Sequence, residues 1–96
     1  MIYKLTFLVS AKKEWDKLSP EIQKQFKEKL KRRLENPCID KDRLSHLKDC
    51  YKIKLRSIGY RLVYRVFQDR VIVQVIAVGK RDKNFIYQIA MKRVSS

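Results

Sequence analysis

The spacing of apolar residues along the chain predicts seven elements in the order β-α-α-β-β-β-α. Where apolar residues recur at every second position, successive side chains alternate between two faces, as in a half-buried strand. This pattern predicts strands over residues 2–9, 50–57, 60–67 and 70–78. Turn signals at Ile58-Gly59 and Gln68-Asp69 separate the last three strands. The final strand contains VIVQVIAV, which is apolar on both faces, so we expect it at the centre of the sheet with the helices covering one side.

Two helices separated by a tight break are predicted between the first and second strands. Ser10 suits the N-cap of the first helix, and Ala11, Trp15 and Leu18 then recur at helical spacing, which makes Trp15 a core residue. Ser19-Pro20 suits the start of the second helix, and Asn36-Pro37 suits its end. The buried side of the second helix is predicted to be the stripe Ile22, Phe26, Leu30 and Leu34.

A short C-terminal helix is predicted over NFIYQIAMKRV, residues 84–94. Phe85 and Ile89 are expected on its buried side, joined by Ile86 and Ala90. The fold class is therefore α+β: one small domain over residues 1–96, in which an antiparallel-rich sheet packs on a helical hairpin. Ninety-six residues suffice for one such domain with a modest core.

The chain shows none of the usual signs of a secreted, membrane or metal-binding protein. No apolar run reaches the ~18 residues of a membrane span, and the N-terminus lacks a secretory signal pattern. Cys38 and Cys50 are the only cysteines, and we interpret them as reduced thiols of a cytoplasmic protein. His46 is the single histidine and is expected at the surface, so neither a metal site nor a cofactor is predicted.

The charge is strongly unbalanced, with 24 Lys and Arg residues against 10 acidic residues and a formal net charge of +14. This balance predicts attraction to a polyanion. The second helix carries six of the cations, which we interpret as a solvated face that adds to this attraction: Lys24, Lys27, Lys29, Lys31, Arg32 and Arg33.

A more specific signal lies in YKIKLRSIGYRLVYRV, residues 51–66, where basic and apolar residues alternate. Lys52, Lys54 and Arg56 then share one face of a strand, although neighbouring like charges cost free energy. A loop with an even number of residues would turn Arg61 to the same face, and burial favours this arrangement. That register is expected to place Arg56 opposite Arg61, Lys52 near Arg65 and Lys54 near Val63.

Two further residues are expected close to this face. Arg81 leaves the end of the central strand, and Tyr87 follows about one and a half turns into the next helix. An enzyme that cuts RNA must remove a proton from the 2′-hydroxyl, stabilise charge on the phosphoryl oxygens and protonate the leaving oxygen. A second cation should lower the pKa of Lys54, while Arg61 and Arg81 suit phosphate oxygens.

Tyr87 suits stacking on a base or proton transfer. No carboxylate cluster accompanies these residues in the sequence, and this argues against a two-metal nuclease. From composition alone, a basic surface with general affinity for nucleic acid remains the alternative.

The segments CYKIKLRSIGYRLVYRV and AVGKRDKNFIY closely resemble the RelE family of bacterial toxins. KEWDKL in the first helix and ENP at the end of the second extend the resemblance over nearly the whole chain. It implies a fold like that of small microbial ribonucleases. It also implies an mRNA interferase that enters the ribosomal A site, cuts the codon there and stops translation.

The resemblance implies roles for five residues. Lys52 and Lys54 form a basic pair, in which Lys54 transfers a proton or stabilises charge. Arg61 resembles the phosphate-binding arginine, Arg81 the arginine that stabilises the leaving group, and Tyr87 the tyrosine that stacks on the codon. Which of them act as base and acid stays open. Contacts with RNA or the ribosome are expected from Arg56, Arg65, Lys80, Lys24, Lys27 and Lys31.

The resemblance also implies partners. These are a RelB-type antitoxin, the 30S A site with its rRNA, mRNA, and operator DNA reached through the antitoxin; no membrane is implied. The antitoxin is expected to displace the C-terminal helix that carries Tyr87. Two alternatives are a toxin that binds protein, as relatives that inhibit DNA gyrase do, and a nucleic-acid-binding protein without catalysis.

Overall fold

The computed structural model describes residues 2–80 and 85–95. Its elements are β1 (Lys4–Phe7), α1 (Val9–Asp16), α2 (Pro20–Glu35), a 3₁₀ turn (Asp40–Asp42), β2 (Cys50–Leu55), β3 (Tyr60–Phe67), β4 (Ile72–Lys80) and α3 (Phe85–Ser95). The strands form one sheet in the order β1-β4-β3-β2. β1 is parallel to β4, whereas β3 is antiparallel to both β4 and β2. The predicted element order, the α+β class and the central position of β4 are confirmed.

The start of α1 differs from the prediction. α1 begins at Val9, and the N-cap is Leu8, whose carbonyl accepts a hydrogen bond from the Lys12 N–H at 2.8 Å. Ser10 is therefore inside the helix and is not its cap, and Val9 is 75% exposed rather than part of β1. The start of α2 is as predicted, since the Ser19 hydroxyl accepts a hydrogen bond from the Ile22 N–H and Pro20 is the first helical residue.

The turns on both sides of β3 are longer than predicted. β2 ends at Leu55 rather than at residue 57, because the Leu55 carbonyl accepts a hydrogen bond from the Gly59 N–H at 2.9 Å and closes a turn. Gly59 has a φ of 70°, which glycine adopts without strain. β4 begins at Ile72 rather than at residue 70, because residues 68–71 form the turn that follows β3.

The helical hairpin of α1 and α2 covers one face of the sheet, as predicted, and α3 covers the other face. α1 and α2 pack on one face through buried Ala11, Trp15, Phe26 and Leu30. The Trp15 ring lies 5.4 Å from the ring of Phe7 and 6.1 Å from that of Phe26, so its predicted place in the core is confirmed.

α3 packs on the other face through Ile86 and Ala90. The prediction that Phe85 is buried is wrong, since this side chain is 59% exposed. Ile86 and Ala90 are four positions apart and therefore share one side of the helix, and Phe85 lies off that side.

A β-bulge in β4 explains how this strand supplies both cores. Val63 pairs with Ala77 and Tyr64 pairs with Val75, so Ile76 is an extra residue in β4. As a result, the adjacent residues Ile76 and Ala77 both pack in the core beneath α3, whereas Val75 and Val78 pack beneath α1 and α2.

Side chains of α2 hold β2, which is an edge strand. Lys29 Nζ donates to the carbonyl of Lys54 at 3.3 Å, and Arg33 Nη1 donates to the carbonyl of Lys52 at 3.2 Å. Arg33 also donates to the Tyr64 hydroxyl at 2.9 Å and forms an ion pair with Asp42. Arg33 is therefore half-buried at the centre of this network, and the prediction that it belongs to a solvated face is wrong.

The Tyr64 hydroxyl extends the network to the connection after α2, because it donates to the Pro37 carbonyl at 2.6 Å. Burial raises the pKa of Tyr64 to about 12, although Arg33 opposes this shift. The phenol therefore stays protonated and keeps its donor at neutral pH. The ring also stacks on Tyr51 of β2, with centroids 5.7 Å apart.

Three other features of the described residues bear on the sequence predictions. Cys38 and Cys50 are free thiols, and burial raises the pKa of Cys50 to about 11. Within residues 2–80 and 85–95, no helix is long and apolar enough to cross a membrane. In the same ranges, no three His, Cys, Asp or Glu side chains are grouped so that they could share a metal ion.

Removing the Tyr64 hydroxyl should destabilise the fold. Tyr64→Phe leaves the Pro37 carbonyl without this donor and Arg33 without this acceptor, so we expect the free energy of unfolding to fall by roughly 1–3 kcal/mol. Denaturant unfolding monitored by circular dichroism measures the change. Tyr60→Phe, which alters a half-buried tyrosine on the same strand, is the control; an equal loss in both variants would contradict a special role for the Tyr64 hydroxyl.

Candidate active site

The turn between β2 and β3 brings three predicted residues to one face of the sheet. It contains four residues, 56–59, so Arg61 shares the face of Lys52 and Lys54, as predicted. We call these three residues the basic face. Arg61 is directly opposite Lys54 on one side and Gly79 on the other.

The individual pairs on this face differ from the predicted ones by two residues. Lys52 is opposite Val63 and Arg65 is opposite Cys50, so the predicted pairs of Arg56 with Arg61, Lys52 with Arg65 and Lys54 with Val63 are wrong. The cause is the early end of β2 at Leu55, which moves Arg56 from the strand into the turn.

The proximity of like charges changes the acidity of Lys54. The charge of Lys52 lowers the pKa of Lys54 most, and partial desolvation and the charges of Arg61 and Arg56 lower it further. The predicted direction of this shift is confirmed. A larger fraction of Lys54 is thus neutral at a given pH than for an isolated lysine, and this favours a role in proton transfer.

Arg61 is unusual because it is a buried cation, with only 7% of its surface exposed. Its Nη1 donates to the carbonyl of Tyr60 at 3.2 Å. Among the described residues, no carboxylate forms an ion pair with its guanidinium. Burying a charge without an opposite charge costs free energy, so this position favours an anionic ligand.

Tyr87 is half-buried on α3 and lines a cavity of about 340 Å³ together with Lys52. We call this cavity the Tyr87 cavity. Sequence reasoning missed most of its other walls, because residues 43–47 form an irregular connection without periodicity. The remaining lining residues are Arg43, Leu44, Ser45, His46, Leu47, Gln88 and Met91.

Lys52 also lines a second cavity, of about 460 Å³. We call it the cationic pocket, and it is lined by Lys29, Arg33, Lys41, Asp42, Lys52, Ile53, Lys54 and Arg56. Lys41 was missed by the sequence analysis, and Lys29 and Arg33 were predicted only as part of a solvated helical face. Their spacing of four residues places both on one side of α2, but the contact of that side with β2 depends on the tertiary fold.

The remaining predicted residues are not all brought to this site. Arg56 is exposed and lines the cationic pocket, and Lys80 is exposed at the end of β4. Lys24, Lys27 and Lys31 line a separate groove with Leu5, Phe7 and Trp15. Arg65 packs on the Phe67 ring at 4.9 Å, and its buried Nε has no hydrogen-bond partner within the described residues. Arg81 lies outside the described residues, so its place in the site stays a prediction.

Comparison with known proteins assigns the chain to the class of small toxins from toxin–antitoxin systems. A family model described as the ParE toxin of the type II toxin-antitoxin system parDE matches residues 5–85. The mRNA interferase toxin RelE of Escherichia coli K12 is 50% identical over 94 residues, which cover 98% of this chain and 99% of that protein. The mRNA interferase RelE of Shigella flexneri matches to the same extent. The chain belongs to the RelE family of these toxins.

Solved structures of relatives agree with the fold. A double arginine-to-alanine variant of E. coli RelE in the free state has a TM-score of 0.90 and 49% identity, covering 98% of this chain and 99% of that one. The toxin in the intact E. coli RelBE toxin–antitoxin complex has a TM-score of 0.81 and 51% identity, covering 84% and 99%. The predicted family is therefore confirmed by sequence and by structure.

Removing the charge of Lys52 should raise the pKa of Lys54. Lys52→Met keeps the length of the side chain but removes the cation that lowers this pKa most, so the titration of Lys54 moves to higher pH. NMR titration of a protein labelled at the lysine side chains measures the shift. Lys13→Met, at an exposed position of α1, is the matched control. An unchanged Lys54 pKa in Lys52→Met would contradict the electrostatic coupling.

Proposed function

We propose that the chain is an mRNA interferase, an endoribonuclease that cleaves mRNA in the ribosomal A site and thereby stops translation. The observation that carries the proposal is the basic face, where Lys54 is directly opposite the buried Arg61 and Lys52 leads to the Tyr87 cavity. Relatives that are 50% identical over 98% of the chain and are named mRNA interferases support it.

The basic face suits the charge that develops during cleavage. The 2′-hydroxyl attacks the adjacent phosphorus, and negative charge then builds on the phosphoryl oxygens. Arg61 donates to these oxygens, and Lys52 adds a second positive charge. Lys54, with its lowered pKa, transfers a proton or stabilises the same charge.

The two cavities suit different parts of the RNA. Leu44 and Met91 give the Tyr87 cavity apolar walls, so a base can stack there against the phenol of Tyr87. The cationic pocket, with Lys29, Lys41 and Arg56, suits backbone phosphates. We assign stabilisation of the leaving group to Arg81, because the segment GKRDK resembles the corresponding segment of the family.

This site is a weak acid–base catalyst by itself and therefore depends on the ribosome. Lysine and tyrosine start from pKa values near ~10, and Asp42, the carboxylate that lines the cationic pocket, is already paired with Arg33. Holding the reacting groups in line contributes up to roughly 7–11 kcal/mol in the best intramolecular cases. The ribosome supplies this positioning by holding the A-site codon in a bent conformation.

The alternatives explain less of the site. A protein-binding toxin of the gyrase-inhibiting type needs neither the buried Arg61 nor the coupling of Lys52 with Lys54. A nucleic-acid-binding protein without catalysis does not need Tyr87 beside Lys52. The relatives named mRNA interferases also argue against both alternatives.

We further propose that a RelB-type antitoxin binds the chain in the cytoplasm and connects it to operator DNA. Solved structures of relatives contain RelB, either intact or as a peptide. A net charge of +14 attracts an acidic segment. We expect such a segment to displace α3, an 11-residue helix in which Ile86 and Ala90 are the buried residues.

Cleavage should be orders of magnitude faster on programmed ribosomes with an empty A site than on the same RNA free in solution. Single-turnover rates on both substrates measure the ratio, and a mutant RNA with a 2′-deoxy nucleotide at the cut should resist cleavage. The products should carry a 5′-hydroxyl and a 2′,3′-cyclic or 3′-phosphate. Comparable rates on free RNA, or a 5′-phosphate, would contradict the proposed mechanism.

Residues of the site and of the cationic pocket should affect different steps. Arg81→Ala and Tyr87→Phe should lower the single-turnover rate on saturated ribosomes, because their proposed contacts strengthen in the transition state. Lys41→Ala, at an exposed position of the cationic pocket, should mainly weaken RNA binding and reduce the dependence of log K on log salt by about 0.7, the loss of one phosphate contact. Lys13→Ala is the control for general charge, and equal rate losses in all four variants would refute the division of roles.

A further inference from the structure

Glu14 of α1 and Arg93 of α3 form a paired contact at the end of the sheet. Arg93 Nη1 donates to Glu14 Oε1 at 2.9 Å, and Arg93 Nη2 donates to Glu14 Oε2 at 3.0 Å. The Glu14 side chain is only 26% exposed and the Arg93 side chain only 22%. This geometry, with two parallel hydrogen bonds between a guanidinium and a carboxylate, is the strongest that an ion pair in a protein adopts.

The same two side chains also bind the backbone of β4. Glu14 Oε1 accepts a hydrogen bond from the Val78 N–H at 3.2 Å, and Arg93 Nη1 donates to the Ile76 carbonyl at 2.9 Å. Val75 is the last β4 residue that pairs with β1, so Ile76 and Val78 lie beyond the end of β1. The Glu14–Arg93 pair therefore replaces the missing strand at this part of β4, next to the bulge at Ile76.

The rest of the attachment of α3 is modest. The helix has 11 residues, and an isolated helix of this length is marginally stable in water. Ile86 and Ala90 are its buried residues, and Tyr87, Ile89 and Val94 pack against the same core while only partly buried. Arg93 is in the last turn, six residues after Tyr87, which is about 9 Å along the helix axis. A shift at Arg93 thus changes the direction of the whole helix and the place of Tyr87.

We propose that Glu14 and Arg93 are positioning residues for cleavage, which fix α3 on β4 and thereby hold Tyr87 beside Lys52. The pair does not touch the substrate, and its effect on the rate passes through Tyr87. This inference rests on the proposed role of Tyr87 in RNA cleavage.

The backbone contacts determine which position of the pair must carry the carboxylate and which must carry the guanidinium. Glu14 meets a backbone donor and Arg93 meets a backbone acceptor, so an exchanged pair would place a cation against the Val78 N–H and a carboxylate against the Ile76 carbonyl. The double variant Glu14→Arg/Arg93→Glu should therefore fail to restore the function lost in the single variants, although the ion pair as such is retained.

The first experiment measures the attachment of α3 without RNA. In Arg93→Ala and in the milder Glu14→Gln, hydrogen exchange at amides of α3 should become at least several-fold faster, while amides in the centre of β3 keep their protection. The ring signals of Tyr87 in NMR spectra should shift in the same variants. The matched control is Asp16→Ala, which breaks the exposed Lys12–Asp16 ion pair on α1 and should change neither signal. Unchanged exchange in α3, or equal acceleration in α3 and β3, would overturn the proposal.

The second experiment measures single-turnover cleavage on saturated ribosomes. Arg93→Ala should reduce the rate roughly 10- to 100-fold, as misplacement of a catalytic group does, with little change in ribosome affinity. Arg93→Lys, which keeps the charge but loses the paired geometry, should lie between Arg93→Ala and the unmodified chain. In a Tyr87→Ala background, which has no ring to position, Arg93→Ala should cause little further loss, because the effect passes through Tyr87.

The outcomes separate this inference from the proposed function. If the unmodified chain cuts no RNA on ribosomes, the proposed function fails, and the exchange experiment still decides whether the pair fixes α3. If the unmodified chain cleaves and the losses of Arg93→Ala and Tyr87→Ala multiply fully, the positioning role is refuted and the function stands.

Discussion

The basic face depends on the hydrogen bonds by which α2 holds the edge strand β2. Lys52, Lys54 and Arg61 repel one another, and a strand with one neighbour has backbone groups free on its other edge. Arg33 and Lys29 donate to the carbonyls on that edge, and Arg33 also connects it to the buried hydroxyl of Tyr64. These hydrogen bonds hold β2 in place against the repulsion that lowers the pKa of Lys54. The site therefore stays ordered before any anion binds.

Local signals in the sequence predicted most of the fold and part of the site. Alternation located β2 and β3, and an even-length turn sufficed to place Arg61 with Lys52 and Lys54, because the side-chain period of a strand is two. Ser19-Pro20 predicted the start of α2, since the cap and the first helical position are local features. Such predictions succeed where the determining contacts lie within a few residues of one another.

Features that depend on distant contacts were not predicted. The bulge at Ile76 has no glycine to mark it, and it follows from the need of β4 to supply two cores. Arg33 appears in the sequence as one of six cations on a helix, and only the fold brings Asp42 and Tyr64 to it. The error at Phe85 has the same origin, because the side of α3 that is buried depends on how the chain returns over β4.

The blocked edge of β2 also has a consequence for self-association. A sheet with a free edge can be extended by a strand from a second molecule, which is a common start of aggregation. At β2, the carbonyls of Lys52 and Lys54 already accept hydrogen bonds from α2 side chains, and a further strand would have to break these. The opposite edge is β1, which has only four residues and begins beside Tyr3, whose N–H is bonded to Leu34. A highly charged protein thus disfavours extension of its sheet by copies of itself and growth into fibrils, while its basic face stays open.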